Sequence, residues 1–138
     1  MSKKKPMQNF PFESTKPYGE GFVKICDSMI NSLAWQCLTL RQRGLYIELK
    51  TKFTVYKNQD TNVNNISMPH SEYSKLYGDK TTFWKDIDML IANGFIKVVE
   101  HGYFARAPNI YGFSSRWKGY GTEEFNIPIN EKRITITY

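Results

Sequence analysis

The chain has 138 residues and a formal net charge of +6, with 19 Lys and Arg set against 13 Asp and Glu. That length predicts one domain able to bury a substantial core, and a hydrophobic share of 41% with 23% charged residues excludes a disordered composition. No apolar run reaches the roughly 18 to 20 residues of a membrane span, and two cysteines exclude a disulfide framework.

Lys3, Lys4 and Lys5 are followed by Pro6-Met7-Gln8-Asn9, where a secretion signal would carry its apolar segment, so a cytoplasmic protein is expected. Residues 1–21 mix Lys, Pro, Gly, Ser and Gln without a period and read as a flexible basic arm, with Phe10 and Phe12 as anchors onto the domain. Residues 22–25 alternate like a short strand. Asp27 or Ser28 is the expected cap of a short helix running to Trp35. Cys26 and Cys37 have apolar neighbours and read as reduced, buried thiols.

Thr39 is a good N-cap for a helix over about 40–53. Leu45, Tyr46, Leu49 and Phe53 recur there at helical spacing, with Arg41, Arg43, Lys50 and Lys52 on the other sides. Gly44, unfavourable inside a helix, points to a close helix contact. Residues 56–65 are polar, Asn-rich and aperiodic, which predicts a loop, and 66–68 suggest a short strand. Pro69 suits the first turn of a helix ending at 76 or 77. Gly78-Asp79 predicts a turn, with Asp79 capping a longer helix over 80–93. Its buried stripe is Phe83, Ile87, Leu90 and Ile91, and Gly94 supplies a left-handed stop.

Residues 95–100 read as a strand, His101-Gly102 as a tight turn, and 103–107 as the returning strand of a hairpin. Residues 110–114 suggest a further strand, and 133–138 a terminal one. The expected fold class is α+β, with three or four helices and a small antiparallel sheet. The domain spans 22–117, and 118–138 form a C-terminal extension packing on it.

A short helix joined by a tight turn to a longer one, followed at once by a hairpin, is the order of a helix-turn-helix with a wing. The residues that carry it are Leu76-Tyr77-Gly78-Asp79-Lys80-Thr81-Thr82, then Lys85, Ile87, Leu90 and Gly94-Phe95-Ile96. This segment resembles the winged helix-turn-helix proteins of plasmids, phages and conjugative elements: replication-initiator N-terminal domains, transfer accessory proteins and regulators. Trp35, Leu38-Thr39-Leu40 and Leu45-Tyr46 resemble their opening helix, and Tyr111, Ser114 and Arg116-Trp117 their exit strand. Tyr77 stands where that family often has the turn glycine, and Trp84 where it has a small polar residue.

The resemblance implies a protein that binds double-stranded DNA sequence-specifically at an operator, a replication origin or a transfer origin. It would work as a homodimer or as several copies on repeated sites, alongside a relaxase or a replication protein. With the apolar stripe inward, Thr81, Trp84, Lys85 and Asp88 fall on the opposite face of the 80–93 helix. Lys80, Thr81 and Thr82 lie in its first turn, where free N–H groups favour a phosphate. Lys85 is a candidate for guanine or phosphate, and Asp88 either accepts from cytosine or pairs with Lys85. Arg41, Arg43 and Lys50 are candidate phosphate clamps. Lys97 and Arg106 are the cations of a wing whose tip, Glu100-His101-Gly102, carries an acid, so the wing is expected to be mainly structural.

The alternative reading keeps the fold and uses Trp84, Tyr120 and Phe125 to dock another protein. His70, His101 and the two cysteines fit no metal spacing, and no Ser or Cys is arranged with a histidine base. Gly19-Glu20-Gly21 and Gly119-Tyr120-Gly121 lack the setting of a nucleotide cradle. No enzyme, cofactor or metal is therefore expected.

Overall fold

A computed structural model describes residues 8–134. The expectations placed on Lys3 to Lys5, and most of those placed on 133–138, lie outside these residues; Arg133 and Ile134 themselves are not in a strand. The chain is α+β. Its elements run α1 (Asp27–Ile30), α2 (Leu33–Gln36), α3 (Leu40–Lys50), α4 (His70–Tyr73), α5 (Lys80–Ala92), β1 (Ile96–Glu100) and β2 (Ile110–Phe113).

Local chemistry explains the helix ends. Thr39 accepts from Gln42 N, and Gln42 Oε1 accepts in turn from Thr39 N (2.9 Å), a reciprocal cap that starts α3. Asp79 caps α5 by accepting from Thr82 N at 2.7 Å. Gly94 ends α5 with φ +86°, a left-handed position in which a Cβ would sit 2.5 Å from Trp117 N. The segment expected to be one helix toward Trp35 is instead two single turns. Neither Asp27 nor Ser28 caps the first, which starts after Cys26 without a side-chain bond; Ser32 interrupts it and caps the second through Trp35 N. Turn-type bonds carry α4 on to Tyr77, whose N–H donates to Tyr73 O at 2.9 Å.

The core lies between α3, α5 and the sheet. Phe83, Ile87, Leu90 and Ile91 are buried on α5 as expected, as are Leu45, Tyr46 and Leu49 on α3, while Phe53 is only half-buried. Each such aliphatic or aromatic side chain contributes about 1.5–3 kcal/mol on burial. Trp35, Tyr46 and Phe95 meet edge to face at 5.6–5.7 Å, and Trp117 stacks on Phe95 from the C-terminal side. Nothing stands within 4 Å of the Cβ position at Gly44, so the close helix contact expected there is absent.

β1 and β2 are antiparallel, pairing Ile96 with Phe113 and Val98 with Tyr111, with an irregularity between Val98 and Glu100. Tyr111 also exchanges both backbone bonds with Ile66 on its other side, so the expected strand at 66–68 reduces to a single bridge. The hairpin differs from expectation. Residues 101–109 form the loop and 110–113 the returning strand. Gly102 N donates to Asn109 Oδ1, and Gly102 O accepts from the N–H groups of Ala105 and Ala107. Pro108, with no N–H, cannot extend a ladder there, and Arg106 takes φ +53°.

Further differences lie toward the N-terminus. Residues 22–25 have no strand partner and form no strand. Phe10 and Phe12 stack on each other at 5.9 Å but remain exposed, so they do not anchor the arm. Cys26 and Cys37 are both exposed rather than buried. No helix among the described residues is long and apolar enough to cross a membrane.

Candidate nucleic-acid interface

On α5 the buried stripe leaves Lys80, Thr81, Lys85, Met89 and Ala92 exposed. Lys80 and Lys85 form no salt bridge among the described residues. Thr82, also in the first turn, is half-buried and bonded through both its N–H and its hydroxyl to Asp79. Those bonds from Thr82 hold the Asp79 carboxyl below the usual carboxylate range. The free N–H end of α5 is thus already faced by an anion of the chain itself. The cationic strip of Lys80 and Lys85 remains.

The other half of the outward face is covered. Arg133 donates from Nε and Nη2 to the two oxygens of Asp88 at 2.9 and 2.8 Å, a bidentate pair across 45 residues. The same guanidinium lies 4.8 Å from the centre of the Trp84 ring, which also packs on Phe83 and Tyr73. Asp88 is therefore paired with Arg133 and not with Lys85. Each of its two oxygens accepts one bond from that guanidinium, and Trp84 is half-buried between the helix turn and the C-terminal segment.

The basic residues of α3 are also engaged within the molecule. Arg41 donates to both oxygens of Asp86, at 2.6 Å from Nε and 3.0 Å from Nη2. Tyr77 Oη (2.6 Å) and Gln42 Nε2 (3.2 Å) donate to the same carboxylate, which is fully buried. Burial works to raise the Asp86 pKa, but the bonds from Arg41, Tyr77 and Gln42 outweigh it and hold the group ionised below the usual range. Arg43 donates to the backbone oxygens of Trp35 and Gln36, closing the end of α2, and lies over the Trp35 ring. Lys50 sits above the rings of Phe53 and Phe113 and reaches Lys24 O at 3.4 Å.

In the hairpin, Lys97 is half-buried on β1, and Arg106 is exposed in the loop with no carboxylate partner among the described residues. Tyr120 and Phe125 meet edge to face at 5.3 Å and are half-buried. Two organising residues escaped the reading of the sequence. Arg133 gave no local signal, because its partner is 45 residues away. Asp86 was legible: it lies three residues after Phe83 and four before Leu90, inside the apolar stripe, where a carboxylate must find partners. Among the described residues, no three His, Cys, Asp or Glu side chains gather as a metal ion would require.

No family model, curated protein or solved structure matches this chain.

Proposed function

We propose that the chain is a winged helix-turn-helix protein that binds double-stranded DNA sequence-specifically, with α5 as the helix that enters the major groove. The observation that carries this reading is the exposed strip of Lys80, Thr81 and Lys85 on the first half of α5, opposite its buried stripe. The order of α4, turn, α5 and hairpin, and a net charge of +6, support it. Base reading then centres on Thr81 and Lys85, with Lys80 on a phosphate and Arg106 and Lys97 as the hairpin's cations. Arg41, Arg43, Asp88 and Trp84 serve the proposed interface by fixing α5 and its surroundings instead of by contact.

One such helix makes few base contacts, so a dimer or several copies on half-sites about one helical turn apart are expected. The role is that of a mobile-element protein marking an operator, a replication origin or a transfer origin, acting by occupancy beside a relaxase or replication protein, in the cytoplasm and without catalysis. Selection from a random duplex library, followed by titration of the selected site at several salt concentrations, tests this. Affinity should fall with a log–log slope near −0.9 per phosphate contacted. Lys85→Ala should cost about 1–3 kcal/mol and relax preference at one position. Failure to enrich any duplex sequence would sink the reading and favour the protein-docking alternative.

A further inference from the structure

The outward side of α3 carries an aliphatic face with a glycine at its centre. Leu40, Gly44 and Ile47 stand four and three residues apart, on the side of the helix opposite buried Gln42, Leu45 and Leu49. Leu40 is 81% exposed and Ile47 40%. Gly44 caps nothing and has no positive φ, and nothing lies within 4 Å of its Cβ position. A glycine inside a helix costs about 0.5–1 kcal/mol against alanine, and what it offers in return is close approach by another backbone. Among the described residues no such backbone is there. The approach is open to a second molecule.

The charges beside this face match a second copy of the chain. Arg41 and Glu48 share one flank of α3, seven residues apart. Arg41 holds Asp86 with Nε and Nη2, yet its side chain stays 57% exposed, and Nη1 makes no bond among the described residues. Glu48 is exposed and forms no salt bridge among them. A parallel pair of α3 helices would set Arg41 against the partner's Arg41. An antiparallel pair with its two-fold axis at Gly44 instead sets Arg41 beside the partner's Glu48 and Leu40 against the partner's Ile47. On the other flank, Arg43 and Lys50 are drawn back onto Trp35, Gln36 and Lys24 of their own chain. We propose that two copies associate antiparallel through Leu40, Gly44 and Ile47 of α3, with Arg41 and Glu48 paired across the seam. Eleven residues make a helix about 16 Å long, a short seam beside the roughly 1,200–2,000 Å² of a stable interface, so the pair is weak when free. It supplies the surface for the dimer expected on repeated half-sites and to that extent rests on the DNA-binding reading, but the association needs no DNA.

Sedimentation equilibrium of the full chain without DNA, up to about 1 mM, tests it. A monomer–dimer equilibrium with a dissociation constant on the order of 100 µM is expected. Ile47→Glu should weaken it at least about tenfold, and Glu48→Lys, which places a cation beside the partner's Arg41, about threefold or more. Gly44→Ala should weaken it about fivefold while raising the urea midpoint of the dilute monomer, two opposite signs that a purely structural glycine would not give. Circular dichroism checks that each variant folds. A chain that stays monomeric at about 1 mM, or a dimer unchanged by Ile47→Glu or by Gly44→Ala, overturns the proposal. Because no duplex is present, neither result depends on whether α5 reads DNA.

Discussion

Asp86 is the side chain on which the packing of α3 against α5 turns. Fully buried, it is made tolerable by a guanidinium, a phenol and an amide that together occupy its oxygens. Asp86→Asn keeps the shape but replaces charge-assisted bonds with weaker ones and brings an amide N–H₂ toward the Arg41 donors. It should cost about 2 kcal/mol at pH 7, read from the urea midpoint. Because the folded-state pKa lies below the ordinary value of 3.8, the carboxylate's contribution is present above that pH and is lost as pH falls through the lower, folded value. The difference between native chain and variant should therefore persist from neutral pH down to about 4 and shrink below it. A difference that was constant down to pH 2 would show that the charge contributes nothing.

The two glycines bordering helices make an informative pair among the elements. Gly94 ends α5 at φ +86° against the backbone of Trp117, so Gly94→Ala combines a left-handed backbone penalty with a clash, at least about 2 kcal/mol together. Gly44 lies inside α3 with open space around its Cβ position, so Gly44→Ala should instead stabilise by about 0.5–1 kcal/mol. Thermal or urea unfolding of both variants distinguishes them by sign. Much at this scale was legible: the caps at Thr39 and Asp79, the stripes of α3 and α5, and the stop at Gly94 all come from chemistry within four residues. The hairpin differs from expectation because 103–107 has a tolerable strand composition, while the folded loop is set by Gly102 and Asn109, seven residues apart. Of the candidate interface, the outward face of α5 follows from periodicity, whereas the covering of Trp84 and Asp88 by Arg133 is encoded in no local pattern.

Across the whole molecule, α5 is the element to which distant parts of the chain are fastened. Arg41 and Gln42 hold it at Asp86, Arg133 holds it at Asp88, and just past its end Asn93 donates from Nδ2 to Ala34 O at 3.0 Å, spanning 59 residues. The proposed DNA-reading strip is thereby mounted on the best-braced helix, a setting that keeps Lys80 and Lys85 in fixed register. The Asn93 bond has a further consequence in the time domain. A helix tied at its C-terminal end to the first third of the chain cannot fray there without breaking the buried bond from Asn93 to Ala34 O. In amide hydrogen exchange, the α5 amides from Asp86 to Ala92 should open only with global unfolding, while those of 101–109 exchange through local opening. Asn93→Ala should bring that end of α5 down into the local class, so that the same helix exchanges at two distinct rates along its length.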